Sequence, residues 1–165
     1  LGVTLSHIDL GGGFGIRYRD ESQASIAEFL DGALGVLAGR AETLVVDPGR
    51  SIVGNAGVLL TRIEYVKHGE AKSFLVVDAA MNDLLRPALY GAWHEIANLT
   101  RLDAPASDIV NVVGPICESA DVLGHDRLLP PTQEGDVLLL ATAGAYGHVM
   151  SSTYNLRAPA EELLL

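Results

Sequence analysis

The chain contains 165 residues, of which 48% are apolar and 19% charged, and its net charge is −10. This composition is typical of a globular domain rather than a disordered segment, and the length allows an ordinary hydrophobic core. The acidic excess argues against a nucleic-acid partner, because binding a phosphate backbone requires a clustered basic face. No apolar run approaches the roughly 20 residues that span a bilayer, so no membrane association is expected.

The cysteine content and the N-terminal segment indicate the compartment. Cys117 is the single cysteine and cannot form an internal disulfide. No basic region followed by an apolar stretch marks a secretory signal, so we expect a cytoplasmic location. The sequence starts without Met in a strand-like segment, residues 1–10, and we interpret the chain as a fragment of a longer protein.

The first third of the chain predicts one β/α/β unit. An apolar segment from Val3 to Leu10 leads into the glycine run Gly11–Gly15, and Thr43–Val46 is a second short apolar segment. Between them, residues 22–37 carry apolar side chains at helical spacing. A strand, a helix and a strand in this order indicate a parallel sheet. The predicted ends of the helix are Ser22 or Ser25 at the start and Gly39 at the finish.

After about residue 55, strand-like segments follow one another with turn residues between them. This pattern predicts a mostly antiparallel β domain over residues 56–165, separated from residues 1–55 near Gly54 to Gly57. The first turn is predicted at His68–Glu70. The predicted strands are Val58–Val66, Ser73–Val77, Ile109–Val113, Asp136–Ala141 and Glu161–Leu165.

Two loops at the ends of the predicted parallel strands are candidate ligand sites. Gly11, Gly12 and Gly13 allow several backbone N–H groups to face one anion, although a flexible turn has the same composition. The next strand is closed by residues 47–50, where Arg50 is suited to bind a carboxylate or a phosphate through two hydrogen bonds. The alternative is a surface turn with a solvated arginine. Ligands collect at the carboxyl ends of parallel strands, which favours the functional interpretation.

Three later segments also combine residue types that carry chemistry. Arg86 and Tyr90 stand four residues apart and suit a substrate carboxylate, although their spacing alone favours a packing role. Cys117 directly precedes Glu118, a pair that can place acid chemistry in a cleft, whereas a lone cysteine is more often a small buried residue. Tyr146 lies between glycine-rich residues and can donate to a phosphate or cover a ring.

Taken in order, five segments resemble the diaminopimelate decarboxylase family of pyridoxal-phosphate decarboxylases, which have an alanine-racemase-like barrel. The segments are HIDLGGGFGIRY, DPGRSIVGNAG, DAAMNDLLRPALYGAWH, VVGPICESADVL and ATAGAYGHVMSSTYNLR, and they span nearly the whole chain. The resemblance implies that residues 1–55 are the last β/α steps of a TIM-type barrel and residues 56–165 a C-terminal β domain. The implied reaction is decarboxylation of meso-2,6-diaminopimelate to L-lysine, the last step of lysine biosynthesis.

The resemblance also implies a role for each candidate residue. Cys117 would be the catalytic proton donor, and with Glu118 it would enter the site of a partner subunit, which implies a homodimer with shared active sites. Residues implied to bind pyridoxal 5'-phosphate are Gly11, Gly12, Gly13, Asp47, Gly49, Arg50 and Tyr146. Residues implied to bind the small amino-acid substrate are Arg50, Arg86, Tyr90, Glu118 and Tyr146.

Two features depart from the full family pattern. Asp47 stands where the family usually has Glu, one methylene longer, which bears on how the cofactor ring nitrogen is held. Pyridoxal phosphate also requires a lysine for its Schiff base, whereas Lys67 and Lys72 flank a predicted turn and are expected to be solvated. We therefore expect the catalytic lysine upstream of Leu1 and expect this fragment alone to be inactive. No metal-ligand spacing is visible among the histidines.

Other functions are compatible with the same motifs. A related decarboxylase acting on ornithine, arginine or a carboxylated polyamine would share the fold and the cofactor, although residues 86–94 and Glu118 favour diaminopimelate. A non-catalytic remnant that only binds a partner is the alternative from a different class, and the missing lysine favours it if the chain is complete.

Overall fold

The N-terminal part of the molecule is the predicted β/α/β unit. The computed structural model describes residue 2 and residues 4–165. Strands β1 (His7–Asp9) and β2 (Thr43–Val45) pair in parallel, and helix α1 (Ile26–Val36) connects them. The parallel arrangement is therefore confirmed, with strands shorter than predicted; Val3 lies outside the described residues.

Helix α1 begins at the position that its capping residues define. The Ser25 hydroxyl accepts a hydrogen bond from the Glu28 N–H at 3.1 Å, and the Glu28 carboxylate accepts one from the Ser25 N–H at 2.7 Å. This reciprocal pair satisfies two backbone donors that a helix N-terminus leaves free. Ser25, rather than Ser22, is thus the cap, and Gly39 follows the last turn with a positive φ of 84°.

Helix α2 (Gly49–Val53) leads into a six-stranded sheet, whose strands are β3 (Leu59–His68), β4 (Ser73–Val77), β5 (Ile96–Asn98), β6 (Asp108–Val113), β7 (Val122–Leu129) and β8 (Val137–Leu140). Their order across the sheet is β5-β8-β3-β4-β6-β7. Neighbouring strands are antiparallel except β4 and β6, so the prediction of a mostly antiparallel domain is confirmed. Alternate side chains fill one core, in which Leu75, Leu138 and Leu140 are fully buried.

Some elements differ from the sequence predictions. The strand predicted at Glu161–Leu165 is wrong, because this segment has no regular structure and all its side chains are exposed. Strand β7 was not predicted, and it contains Asp126 with a φ of 48° close to an irregular register with β6. That irregularity interrupts the alternation of apolar and polar residues by which a strand is detected. Strand β5 has only three residues, too few for an alternation of apolar and polar side chains to be detected in the sequence.

The β/α/β unit contacts the sheet through close backbone approaches near the predicted boundary at residue 55. Gly144, which follows β8, donates its N–H to the Gly54 carbonyl at 3.1 Å, and Ala143 donates to Gly57 at 2.8 Å. A Cβ at Gly144 would overlap the Val53 carbonyl oxygen and lie 2.8 Å from the Gly57 nitrogen. The absence of a side chain at Gly144 therefore allows the loop after β8 to lie against the end of α2.

We expect Gly144→Ala to destabilise the intact protein by about 1–3 kcal/mol, the usual cost of overpacking. The added methyl group would push the loop after β8 away from Val53, whereas at Gly32, in α1, an added methyl group meets no atom within 4 Å. Thermal unfolding of Gly144→Ala beside Gly32→Ala measures the difference. Equal melting temperatures for the two variants would contradict the proposed close approach.

Within the described part of the chain, no helix combines the length and the apolar character needed to cross a lipid bilayer.

Candidate active site

The glycine run and residues 47–50 meet at one edge of the β1–β2 pair. Strands β1 and β2 run in parallel, so their carboxyl ends lie side by side. The Asp47 N–H donates to the Gly11 carbonyl at 3.0 Å. A Cβ at Gly12 would lie 2.7 Å from the Asp47 carbonyl oxygen and 3.4 Å from a carboxylate oxygen of the same residue. Only glycine fits at position 12 without moving Asp47.

The glycine loop has the features of an anion cradle. Gly11 and Gly13 have positive φ values of 72° and 81°, a conformation that glycine adopts without strain. The Gly11 N–H donates to the Asp9 carboxylate at 2.8 Å. Among the described residues, no acceptor takes the N–H groups of Gly12 and Gly13. These free backbone donors suit the oxygens of a phosphate group.

Four predicted substrate contacts surround one open pocket of about 380 Å³. The pocket lies beside α2 and helix α3 (Arg86–Tyr90), and the loop after β8 completes it. Gly91, with a φ of 61°, ends α3 directly after Tyr90. The pocket brings together residues far apart in the sequence, which are Arg50, Arg86, Tyr90, Tyr146 and Met150.

Arg86 is held by a buried histidine. Its Nη1 lies 3.0 Å from His94 Nε2, and His94 Nδ1 lies 2.9 Å from the Ala141 carbonyl oxygen. Since a carbonyl can only accept, Nδ1 carries the ring proton and Nε2 accepts the hydrogen bond from Arg86. Burial lowers the pKa of His94, and the positive charges of Arg86 and Arg127 lower it further against the opposing bond to Ala141. His94 is therefore neutral at pH 7.

Arg50 is held by tyrosines. Its Nη1 donates to the Tyr18 hydroxyl at 2.7 Å, and its guanidinium lies 4.8 Å from the centre of the Tyr146 ring. Among the described residues, no carboxylate forms a salt bridge with Arg50 or Arg86. The positive charges of both guanidiniums are thus left for an anionic ligand.

Cys117 and Glu118 lie elsewhere, on the loop between β6 and β7. Both are exposed, and neither lines the pocket. The buried Asp121 carboxylate anchors this loop by accepting the Ile116 N–H at 2.8 Å and the Met81 N–H at 2.7 Å. Burial raises the pKa of Asp121, and the two backbone hydrogen bonds oppose that shift. A single chain does not bring Cys117 and Glu118 to its own arginine pocket.

The other candidates are peripheral. Lys67 and Lys72 flank the turn between β3 and β4, and neither lines the pocket. A larger cavity of about 770 Å³ lies beside the C-terminal segment, residues 160–165, and contains none of the predicted site residues. Among the described residues, no three His, Cys, Asp or Glu side chains are grouped to hold a metal ion.

Two residues of this site were not predicted from the sequence. Tyr18 lies in the segment after the glycine run and contacts both arginines. His94 is the last residue of the segment DAAMNDLLRPALYGAWH, and it contributes to the site through its hydrogen bond with Arg86. Tyr18 and His94 each end a segment that carries the family resemblance, but no spacing in the sequence indicates that they contact Arg50 and Arg86.

The fold and the site together define a class of protein: a mostly antiparallel sheet domain joined to a parallel β/α unit, with a glycine loop at the strand ends and an arginine-lined pocket. The chain belongs to the family described as "Pyridoxal-dependent decarboxylase, C-terminal sheet domain", which matches residues 16–144.

Curated relatives and solved structures agree with this family. The diaminopimelate decarboxylase of Pseudomonas aeruginosa is 54% identical over 99% of this chain and 39% of the relative. That of Archaeoglobus fulgidus is 46% identical over 100% of this chain and 41% of the relative. The crystal structure of Helicobacter pylori diaminopimelate decarboxylase complexed with L-lysine has a TM-score of 0.84 and 41% identity, covering 93% of this chain and 38% of that one. The chain thus spans about two fifths of the relatives' length.

Proposed function

We propose that the intact protein decarboxylates meso-2,6-diaminopimelate to L-lysine with pyridoxal 5'-phosphate. The observation that carries the proposal is the pocket in which Arg50 and Arg86 present two guanidiniums without a protein carboxylate. Such a pocket suits a substrate with carboxylates at both ends. The similarity to diaminopimelate decarboxylases over nearly the whole chain supports the same substrate.

The residues at the strand ends fit the cofactor. The free N–H groups of Gly12 and Gly13 suit the cofactor phosphate, with Gly11 shaping the turn. Asp47 lies on the adjacent loop and Gly49 begins α2, and the Asp47 carboxylate is suited to hold the proton of the pyridine nitrogen. When bound, the cofactor supplies an electron sink for the electron pair left when carbon dioxide departs. Arg50 and Tyr146, stacked on each other, complete the proposed cofactor contacts.

We expect Gly12→Ala to weaken pyridoxal phosphate binding by about tenfold or more, the value of one charge-assisted hydrogen bond. The added Cβ would lie 2.7 Å from the Asp47 carbonyl oxygen, so the cradle and Asp47 must separate. Titration of the intact apoprotein with the cofactor, followed by absorbance, measures the dissociation constant. Gly15→Ala is the matched control, because an added Cβ there meets no atom within 4 Å. Equal affinities in both variants would contradict the cradle.

The substrate and the proton donor are assigned to different parts of the chain. Arg50, Arg86, Tyr90 and Tyr146 bind the substrate in the pocket of their own subunit. The Cys117 thiol donates a proton to the carbon that has lost carbon dioxide, and Glu118 binds the far amino-acid end of the substrate. Cys117 and Glu118 are exposed and do not line the pocket of their own chain, which supports a role for them in the active site of the second subunit of a homodimer.

The same proposal extends to domain organisation and compartment. We infer that residues 1–55 complete a barrel whose earlier strands, with the Schiff-base lysine, lie in the rest of the intact protein. Residues 56–165 form the β domain, and the contacts around Gly144 join the two parts. A catalytic thiol at Cys117 that stays reduced favours a cytoplasmic location.

The test is release of carbon dioxide and lysine from meso-diaminopimelate by the intact protein with added pyridoxal phosphate. Ornithine, arginine and a carboxylated polyamine are assayed in parallel. Release from diaminopimelate alone supports the proposal. Release only from another substrate would retain the cofactor but overturn the assignments of Arg86 and Glu118. No release from any of them, with the cofactor bound, would indicate a non-catalytic remnant.

A further inference from the structure

We propose that Tyr18 and His94 are positioning residues, which hold the Arg50 and Arg86 guanidiniums in a fixed relation so that the pocket selects ligands by their carboxylates. The inference rests on the proposed function of this pocket. It assigns to two residues outside the predicted substrate and cofactor sets the geometry on which recognition depends.

Tyr18 contacts both guanidiniums. Its hydroxyl accepts a hydrogen bond from Arg50 Nη1 at 2.7 Å, and the Arg86 guanidinium carbon lies 4.6 Å from the centre of its ring. Arg50 also lies 5.9 Å from the same ring centre. A flat, stiff side chain that binds one arginine through its hydroxyl and the other through its ring fixes the distance between the two charges.

His94 completes this frame from the protein interior. It is fully buried, and its ring meets Tyr18 edge to face at a centroid distance of 5.5 Å. One ring nitrogen is fixed by the Ala141 carbonyl and the other accepts from Arg86. Because both nitrogens are used, the ring cannot rotate without breaking a buried hydrogen bond. One N–H of the Arg86 guanidinium donates to His94, and its other N–H groups remain available for a ligand.

The chemical nature of these partners determines the selectivity. Outside the pocket, Arg101 is paired with the buried Asp136 carboxylate at 2.6 Å, and its charge is neutralised. Arg86 and Arg50 instead have uncharged partners, an imidazole and a phenol. Uncharged partners orient a guanidinium without cancelling its charge and without competing with a substrate carboxylate. The pocket therefore keeps two oriented positive charges ready for a carboxylate ligand.

Replacement of His94 by two amides separates positioning from folding. In His94→Asn the amide can reach the Ala141 carbonyl, as Nδ1 does, but is too short for Arg86. In His94→Gln the longer amide places its oxygen near the position of Nε2 and restores an acceptor for Arg86. In the intact holoenzyme we expect His94→Asn to raise KM for diaminopimelate about tenfold with kcat changed less than about threefold, and His94→Gln to recover most of the loss. His125→Asn, at an exposed position of β7, is the matched control.

Replacement of Tyr18 separates its two contacts. Tyr18→Phe keeps the ring against Arg86 but removes the hydroxyl that binds Arg50. Tyr18→Leu removes both interactions. We expect a rise in KM of about threefold for Tyr18→Phe and of about tenfold or more for Tyr18→Leu. Equal effects of the two substitutions would show that the hydroxyl carries the whole contribution of Tyr18 and would overturn the role of its ring.

The decisive measurement is the affinity for three ligands that differ in carboxylates: diaminopimelate with two, measured as KM, and lysine with one and cadaverine with none, both measured by titration of the holoenzyme. His94→Asn should weaken diaminopimelate and lysine but leave cadaverine unchanged within about twofold, and it should add little in an Arg86→Ala background. Equal weakening of all three ligands, or full additivity with Arg86→Ala, would overturn the positioning role. If the wild-type holoenzyme does not decarboxylate diaminopimelate but His94→Asn still selectively weakens the carboxylate ligands, the proposed reaction fails and the positioning role stands.

Discussion

Cys117→Ala is expected to lower kcat for diaminopimelate by about 10²–10⁴-fold, the usual contribution of a positioned general acid. The carbon that loses carbon dioxide must take up a proton, and the alanine side chain has no acidic proton to donate. Cys117 is exposed and lies on a loop that Asp121 anchors, so its removal should change the free energy of unfolding by less than about 0.5 kcal/mol. Stopped-flow or steady-state assay of the intact holoenzyme measures the loss.

Cofactor binding separates this effect from damage to the site. Cys117 does not line the arginine pocket of its own chain, and we expect pyridoxal phosphate to bind Cys117→Ala with normal affinity. Ser119→Ala, two residues further along the same exposed loop, is the control for any effect of the loop itself. Full activity of Cys117→Ala would remove the thiol from the mechanism.

The meeting of the glycine run with residues 47–50 was predictable because parallel strands bring their ends together. The order of a strand, a helix and a strand places residues 11–13 beside Asp47, whatever the details of the connecting helix. The Asp47 N–H indeed bonds to Gly11. The four pocket residues predicted from resemblance likewise lie at one place, because α2, α3 and the loop after β8 converge there.

The frame around the two arginines was not predictable from spacing. Tyr18 and Arg50 are separated by 32 positions, and their hydrogen bond exists only once α2 has folded against the glycine segment. His94 and Arg86 are eight residues apart with Gly91 ending α3 between them, so no helical period relates them. The false strand at residues 161–165 shows the opposite error, since its apolar residues pair with no strand and remain exposed.

Arg86→Ala is expected to raise KM for diaminopimelate by about 10- to 100-fold, the value of a charge-assisted pair with a carboxylate. The Arg86 guanidinium lines the pocket and has no protein carboxylate to neutralise it. Its removal is therefore expected to weaken binding of the substrate carboxylate. We expect the KM of Arg86→Lys to lie between those of the wild type and Arg86→Ala, because an ammonium keeps the charge but not the forked geometry of a guanidinium. Arg62→Ala, at an exposed position of β3, controls for loss of one positive charge. Steady-state kinetics and a cofactor titration measure both effects, and a normal KM would contradict the carboxylate contact.

The Cys117→Ala and Arg86→Ala variants together also test whether two subunits share each active site. Cys117→Ala and Arg86→Ala subunits are each nearly inactive alone at low substrate. In a hybrid homodimer, however, the intact pocket of the first subunit receives the intact thiol of the second, while the other site lacks both groups. Co-expression with random pairing should therefore restore about one quarter of wild-type activity, as two-fold symmetry requires. If both groups acted within one subunit, no pairing of these variants would restore activity.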